Sequence, residues 1–221
     1  MSPPPAPPAL PVVATIVVIF AIIEDRLQVL LVHRDAPPQA GSWALPGGRW
    51  DGSRSLEEAA AAKLVEETGA SDVYLEQLFT QSGLDATQPG VAIASFALVD
   101  AAVVRLREEP DDAWRPAWHA VAELPRLAFA NNRVIVQAVE RVRAKLEYTN
   151  IAYGLLPERF TLRELQSTYE AIVGGAHLDR RNFRKRMLGN AVIEPTEELR
   201  REGAHRPARL YRFTSREPVF L

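Results

Sequence analysis

The chain of 221 residues contains no cysteine. This absence excludes disulfide bonds, zinc sites built on thiolates, iron–sulfur clusters and cysteine nucleophiles. Charge of one sign is not in excess either, because 26 Lys and Arg face 28 Asp and Glu and leave a formal net charge of −2. We therefore expect a reducing compartment, and any site must be built from oxygen and nitrogen ligands.

Long apolar runs are also missing. The longest, Val12 to Ile23, is shorter than the roughly 20 residues that a membrane-spanning helix requires. No Lys or Arg precedes this run, as one would in a signal peptide. These observations predict a cytoplasmic protein that does not interact with a membrane.

The distribution of proline and charge divides the chain into three parts. Six of the 17 prolines fall in residues 1–11, which predicts a disordered or polyproline-like tail. Residues 12–147 carry 13 basic and 19 acidic side chains, whereas residues 148–221 carry 13 basic and 9 acidic side chains. We expect one domain in each of these two segments, and the basic one is the candidate for binding a polyanion.

The first domain alternates strand and helix patterns. Runs rich in β-branched residues predict strands at Val12–Ile23, Leu27–His33, 72–82 and 91–100. Apolar residues at helical spacing follow Ser55 and stop at Gly69, and a second helical pattern covers 132–147. An α/β domain is therefore expected.

The second domain carries the pattern of a helix-turn-helix. Thr161 is a candidate N-cap with Glu164 as its partner in a capping box, and Gly174-Gly175 ends that helix. Asp179 can cap a second, strongly basic helix that ends at Gly189. A helix, a turn containing glycine and a basic helix together predict a DNA-binding motif.

A β-hairpin is expected after the basic helix. Ala191–Ile193 and Leu210–Phe213 alternate as short strands around the charged segment from Glu197 to Arg209, which we interpret as the loop of a wing. The predicted second domain is thus an α+β winged helix-turn-helix.

One segment carries the signature of a known family. Gly41 to Trp50 runs into a helix that ends Leu-Val-Glu-Glu-Thr-Gly-Ala at Ala70, and this segment resembles the box of the Nudix hydrolases from Gly48 to Ala70 without a gap. The matching positions are Gly48, Leu64, Glu66, Glu67, Gly69 and Ala70. The resemblance implies an α/β Nudix sandwich, in which helix carboxylates hold Mg²⁺ for attack of water on a diphosphate.

The box departs from the family at catalytic positions. Arg54 replaces its first glutamate, and Ala62-Lys63 replaces Arg-Glu. Positions 63, 66 and 67 share one helix face, so Lys63 repels a cation from Glu66 and Glu67, and only weak Mg²⁺ binding is expected. We favour a diphosphate pocket in which Lys63 supplies the charge of the metal, with no required cofactor; a merely solvated helix end is the alternative.

Other segments narrow the resemblance to the Nudix-related transcriptional regulators of NAD metabolism. They are 41–48, 75–79, 148–149, 155–157, 160–162, 164–166 and 179–184. The resemblance implies that a nearly inactive Nudix domain senses ADP-ribose or a related nucleotide, while a winged helix represses genes of NAD biosynthesis or salvage; relatives instead control sugar use. The chain departs from the family at Ala130-Asn131, where members often carry Asp-His.

The candidate DNA-binding residues lie on the basic helix and around it. Lys and Arg neutralise phosphates, Arg can read guanine and Asn can pair with adenine. A solvated charged face is the alternative, although no acid follows Asp179 within the helix. The candidates are Thr161, Arg180, Arg181, Asn182, Arg184, Lys185 and Arg186 in the helices, with Arg206 and Arg209 in the wing.

The candidate ligand-binding residues surround the Gly-Gly loop. Arg34 follows the second strand and can bind a phosphate, or it can form a surface salt bridge. Trp43 and Trp50 flank the loop, where an indole can stack on adenine or pack beneath the loop. The full set is Arg34, Trp43, Gly47, Gly48, Lys63 and Glu67.

We interpret the sequence as a repressor that responds to a ligand, binds an operator in double-stranded DNA and forms a homodimer. The main alternative is a Mg²⁺-dependent ADP-ribose pyrophosphatase with an accessory domain. A Nudix-fold scaffold that binds a protein partner through its basic domain is a third possibility. Arg54 and Lys63 argue against the enzyme, because catalysis requires carboxylates at those positions.

Overall fold

The computed structural model describes residues 11–82, 90–107, 114–201 and 207–221. Seven strands form a mixed sheet whose main path runs β3-β2-β1-β6-β5, with β4 paired to β1 and β7 paired to β2. The strands are β1 (Val12–Ile23), β2 (Arg26–Arg34), β3 (Trp43–Ala44), β4 (Gly47–Arg49), β5 (Tyr74–Ser82), β6 (Gly90–Leu98) and β7 (Trp114–Ala120).

Strand β1 organises the sheet. It pairs in parallel with β6 along its length, and antiparallel with β4 near its start and with β2 near its end. Val17, Ile19 and Ala21 face one side of the sheet, whereas Val18 and Phe20 face the other. Since both sides are apolar, the sheet must be covered on both faces.

A helix covers each face of the sheet. Helix α1 (Leu56–Thr68) packs on the first face through Ala60 and Leu64. Helix α2 (Asn131–Tyr148) packs on the second through Val134, Ile135, Ala138, Val139, Val142 and Leu146. The predicted α/β sandwich is confirmed, and so are both helices.

The predicted boundaries of α1 are confirmed by its caps. The Ser55 hydroxyl accepts from the backbone N–H of Glu58, whose carboxylate accepts in turn from the N–H of Ser55. At the other end Gly69 adopts φ 66°, a left-handed conformation that glycine tolerates best. These caps fix the two ends of α1 and so place Glu66 and Glu67, the carboxylates of the Nudix box, in its last turn.

The C-terminal part has the predicted winged helix architecture. Helix α3 begins with the expected capping box between Thr161 and Glu164, and Asp179 caps α4 by accepting from the N–H of Asn182. A three-stranded sheet of order β8-β10-β9 closes the unit. The elements are β8 (Phe160–Thr161), α3 (Leu162–Val173), α4 (Arg180–Gly189), β9 (Ile193–Arg200) and β10 (Ala208–Phe213).

The predicted start and end of the wing loop were wrong. The charged segment expected to form a loop from Glu197 continues as strand to Arg200, and β10 resumes at Ala208. The charges of this segment do not interrupt the strand, because residues outside the hairpin compensate two of them. Glu198 pairs with Arg159, and Arg200 lies 2.6 Å from Glu164 at the start of α3.

One apolar cluster runs through both parts of the chain. It joins Phe96 of the large sheet to Ile172 of α3 and Met187 of α4 through the inner face of α2. The junction is tight, because a Cβ atom on Gly154 would meet the carbonyl oxygen of Leu98 at 3.1 Å. Within the described ranges, no helix is both long and apolar enough to cross a membrane.

Candidate functional site

The carboxylates of the Nudix box face a lysine of their own helix. Lys63 Nζ lies 2.6 Å from Glu66 Oε2 and 3.6 Å from Glu67 Oε1. Lys63 is only 17% exposed in its side chain, so solvent screens these contacts incompletely. The spacing i, i+3 and i+4 therefore brings the three side chains together as the sequence predicts.

Two residues distant in sequence complete this group. Trp114 Nε1 donates to Glu67 Oε2 at 2.7 Å, and the Arg107 guanidinium pairs with Glu66 and lies 3.9 Å from Glu67 Oε1. Burial raises the pKa of Glu67, although the bond from Trp114 and the charge of Lys63 oppose that effect. We name Lys63, Glu66, Glu67, Arg107 and Trp114 the box cluster.

The box cluster does not fit Mg²⁺. A hard dication needs several oxygen ligands, and here two carboxylates are already paired with two protein cations. Among the described residues, no group of three or more His, Cys, Asp or Glu side chains is placed to hold a metal ion. Lys63 and Arg107 lie where a metal would need to approach the carboxylates.

A polar cavity opens beside the box cluster. It has a volume of about 350 Å³ and a basic wall made by Arg49 and Arg54. Neither arginine forms an ion pair with a carboxylate of the described residues, although Arg54 lies close enough to Asp51 and Glu58 to interact with their charges. The complete lining is Thr15, Gly48, Arg49, Trp50, Asp51, Ser53, Arg54, Ala59, Ala62, Lys63 and Glu66.

A second, more apolar cavity of about 360 Å³ lies across β4 from the first. Gly48 and Arg49 line both cavities, so the two cavities adjoin at β4. Gly47 permits the close pairing of β4 with β1, because a Cβ atom there would lie 2.5 Å from the carbonyl oxygen of Thr15. The remaining lining includes Ile16, Val32, Arg34, Leu45, Gln81, Trp114, Phe129 and Asn131.

The predicted ligand residues have different surroundings. Arg34 lines the apolar cavity, donates from Nε to the carbonyl of Pro38 at 3.1 Å and lies 4.8 Å above the ring of Phe129. Trp43 lines neither cavity, since its ring is packed edgewise against His33 and His119. These contacts give Trp43 a packing role.

Trp50 anchors the loop that follows β4. It lines the polar cavity, and its Nε1 donates to the carbonyl of Arg54 at 2.8 Å. That bond holds the loop from residue 50 to residue 54 closed and directs Arg54 to the wall of the cavity. Its indole can therefore support the loop and contact a ligand at once.

Helix α4 presents an uncompensated basic face. Asn182 is exposed, and so are Arg180, Arg181, Arg184 and Lys185, which form no ion pair with any described carboxylate. Phe183 and Met187 point the other way into the core. We call Arg180, Arg181, Arg184 and Lys185 the basic face of α4; a polyanion can reach all four.

The four remaining predicted DNA-binding residues lie in different places. Thr161 is 8% exposed and its hydroxyl caps α3. Arg186 Nη2 donates to the carbonyl of Leu146 at 3.3 Å, so it turns toward α2. Arg209 is exposed on β10, whereas Arg206 lies outside the described residues.

Sequence reasoning did not identify several residues of both sites. Arg163 and His177 lie with Arg180 and Arg184 around a groove of about 500 Å³ between α3 and α4. Arg49, Arg107 and Trp114 were also missed. A basic residue in the first turn of α3 was a usable signal for Arg163, but nothing local marked Trp114, which is 47 residues from its partner Glu67.

Comparisons with known proteins match both halves of this arrangement. The family model of the NUDIX domain matches residues 13–139, and the model of the NrtR DNA-binding winged helix domain matches residues 152–213. The chain is 33% identical over 216 residues to the ADPR responsive transcriptional repressor NtrR of Acinetobacter baylyi, covering 95% of this chain and 85% of that protein.

Two solved structures are similar to the fold. The crystal structure of Shewanella oneidensis NrtR complexed with a 27mer DNA matches with a TM-score of 0.80 and 32% identity, covering 91% of this chain and 93% of that one. The NUDIX domain of the same Shewanella protein, complexed with ADP ribose, matches with a TM-score of 0.53 and 31% identity, covering 61% of this chain and 90% of that one.

Proposed function

The chain belongs to the Nudix family, in the group whose Nudix domain is followed by an NrtR-type winged helix. We propose that it is a transcriptional repressor that responds to ADP-ribose or a related nucleotide. The observation that carries this proposal is the unpaired basic face of α4 in the same chain as a Nudix cavity whose metal position is filled by cations. In the proposal residues 12–147 sense the ligand, residues 148–221 bind the operator, and the regulated genes serve NAD biosynthesis or salvage.

The paired cavities suit a nucleoside diphosphate. Their volumes of about 350 and 360 Å³ lie within the usual range of roughly 300 to 1,000 Å³ for small-molecule sites. The apolar cavity, with Phe129 and Trp114, can enclose a nucleoside, and the diphosphate then crosses β4 to the polar cavity. Because Lys63 already faces two carboxylates, we assign the charge of the diphosphate to Arg49 and Arg54.

Binding in this site requires no metal. In the Nudix enzymes Mg²⁺ neutralises the diphosphate and activates water, whereas here Lys63 and Arg107 neutralise the helix carboxylates. Because Lys63 and Arg107 occupy the approach to the helix carboxylates, the proposal is that the ligand is held and not cleaved. The alternative of an ADP-ribose pyrophosphatase predicts turnover near the enzyme median of roughly 10 s⁻¹ with Mg²⁺, and we expect absent or marginal turnover.

The basic face of α4 is suited to the major groove. A recognition helix places Arg against guanine and Asn against adenine, and neighbouring cations bind phosphates. We propose that Arg181, Asn182 and Arg184 contact base edges. Operators of such proteins commonly mirror a two-fold axis, so the proposed active form is a homodimer.

The proposal is tested by anisotropy of a labelled duplex that the protein itself selects from a randomised pool. We expect the logarithm of the affinity to fall linearly with the logarithm of salt concentration, and ADP-ribose to change the affinity with EDTA present. Failure to select any duplex would favour the scaffold that binds a protein partner. If a duplex is selected but its affinity does not change with ADP-ribose, NAD or phosphorylated sugars, the proposed ligand-sensing role of the Nudix domain is wrong.

A further inference from the structure

Helix α2 begins inside the ligand site. Asn131, its first residue, is 2% exposed and lines the apolar cavity, and its Oδ1 accepts from the backbone N–H of Leu45 at 2.9 Å. Leu45 lies in the segment that joins β3 to β4, the strand shared by both cavities. A ligand that shifts β4 or this segment therefore acts directly on the start of α2.

The residues just before α2 hold a strained backbone. Phe129 and Ala130 have φ of 54° and 53°, a left-handed conformation that is unfavourable for residues with a Cβ atom. The ring of Phe129 lines the apolar cavity and supports the Arg34 guanidinium. Strain beside a cavity allows a second arrangement to lie close in free energy, so this corner can respond to a ligand.

The other end of α2 contacts the winged helix. Arg143 Nε donates to the carbonyl of Ile172 in the last turn of α3 at 2.7 Å, and the carbonyl of Leu146 accepts from Arg186 on α4. From Asn131 to Leu146 the helix rises about 22 Å at 1.5 Å per residue. One rigid element thus contacts the ligand cavity at its start and both helices of the DNA-binding motif near its end.

We propose that α2 transmits occupancy of the cavity to α4, with Asn131 as the positioning residue at the ligand end and Arg143 and Arg186 as the positioning residues at the DNA end. This inference rests on the proposed function and specifies its regulation. Coupling between the two sites must be reciprocal, because a ligand that favours one position of α2 changes DNA affinity by the factor with which DNA changes ligand affinity. Arg186 then orients the recognition helix and does not read the operator.

The first test compares two arginines on α2 in the full-length protein. Arg143→Met removes the bond to α3, whereas Arg141→Met removes an equal charge that pairs with Glu76 of the large sheet at 2.8 Å and does not contact the winged helix. Affinity for the selected duplex is measured with and without ADP-ribose, in EDTA. We expect the ADP-ribose response of Arg143→Met to fall to about twofold or less, with ADP-ribose affinity unchanged in the absence of DNA, and Arg141→Met to keep the parental response.

A full response in Arg143→Met, or an equal loss in both variants, would overturn the inference.

A second test is independent of the ligand and measures duplex affinity for Asn131→Ala, Arg143→Met and the double variant. Transmission through α2 predicts that the two changes are not additive, whereas independent sites add to within about a factor of two. Phe129→Leu replaces Asn131→Ala if the latter does not fold. A parent protein that does not respond to ADP-ribose would refute the proposed effector, and additivity in the cycle would refute transmission.

Discussion

Two groups of cations in this molecule have opposite surroundings. At the end of α1, Lys63 and Arg107 are paired with the carboxylates of Glu66 and Glu67, and on α4 the basic face has no carboxylate partner among the described residues. Removing one partner of a buried ion pair is costly, because the other charge is then left buried without compensation. An unpaired exposed cation instead releases counterions when a polyanion binds.

The wing extends the same comparison within the DNA-binding part. Arg159, Arg200 and Arg212 pair with Glu198, Glu164 and Glu194 respectively, so their charges are compensated. The basic face of α4 differs from these residues, because it brings together four cations without an ion pair to a described carboxylate. Net charge located the basic domain, but only pairing identifies the surface that is free to bind.

The largest expected effect concerns DNA affinity. The double variant Arg181→Ala, Arg184→Ala should lose roughly 2 to 6 kcal/mol of binding if both side chains contact base edges, at about 1 to 3 kcal/mol each. Arg159→Ala, Arg212→Ala removes the same charge from paired positions and serves as the matched control. Anisotropy titrations over a range of salt concentrations measure both.

The comparison fails if both double variants weaken DNA binding equally, since pairing would then not matter. If Arg181→Ala, Arg184→Ala binds like the parent, α4 is not the reading helix. A loss of affinity without a change in sequence preference would assign these arginines to phosphates and leave the base contacts to other residues.

A second prediction separates stability from ligand binding in the Nudix part. Lys63→Met leaves the buried Glu67 carboxylate short of a partner, so the free energy of unfolding should fall by about 1 to 3 kcal/mol. Arg54→Ala removes an unpaired cation and should leave unfolding near the parental value while weakening ADP-ribose binding. Denaturant unfolding and calorimetric titration in EDTA give the two readings.

The opposite result would assign the diphosphate to Lys63 and not to Arg54. If Lys63→Met folds as stably as the parent but loses ADP-ribose affinity, Lys63 itself holds the diphosphate, as the sequence suggested. Lys63→Glu extends the test, because the added carboxylate should let Mg²⁺ raise the melting temperature of the variant but not of the parent.

The third prediction concerns the pH dependence of stability and the carboxylate of Glu76, which accepts hydrogen bonds from three side chains. Burial alone would raise the pKa of Glu76, but hydrogen bonds from Lys145, Tyr74 and Arg141 outweigh it and lower the pKa below its ordinary value. A lowered pKa contributes stability that is present above the ordinary value of 4.5 and is lost as the pH falls through the lower, folded value. Glu76→Gln should therefore be less stable than the parent at neutral pH, by roughly 1.5 kcal/mol.

The measurement is urea unfolding of parent and Glu76→Gln from neutral pH down to acid. The stability difference should be complete at pH values above 4.5 and should shrink at lower pH as the parent carboxylate becomes protonated. A difference that is independent of pH would mean that Glu76 contributes through packing and not through its charge.

Local signals were enough to predict most of the fold. Ser55, Thr161 and Asp179 cap their helices as expected, because a cap depends on residues within one turn. The short strands β3 and β4 and the strand β7, which contains Pro116, were not predicted. Their positions come from pairing with β1 and β2, and a pattern of a few residues does not encode such pairing.

Only the part of the box cluster that lies on α1 can be predicted from the sequence. Helical spacing brings Lys63 to Glu66 and Glu67, which the sequence specifies directly. Arg107 contacts Glu66 from 41 positions away, and Trp114 comes from another strand, so the fold alone brings them there. The sequence thus predicts that Lys63 lies beside the two glutamates, but not the contacts that Arg107 and Trp114 add to them.

The smallest expected effect concerns Thr161, a candidate for DNA binding that the structure places in a cap. Thr161→Ala removes the acceptor for the Glu164 N–H, so the free energy of unfolding should fall by about 1 kcal/mol. Thr161→Ser keeps the hydroxyl and should recover most of that loss. Well below the melting temperature, DNA affinity and its salt dependence should be unchanged in both variants, because an 8% exposed side chain offers little to a phosphate. A loss of DNA affinity in Thr161→Ala that Thr161→Ser restores, without a change in stability, would instead place the hydroxyl at the DNA backbone and extend the nucleic-acid interface from α4 to the start of α3.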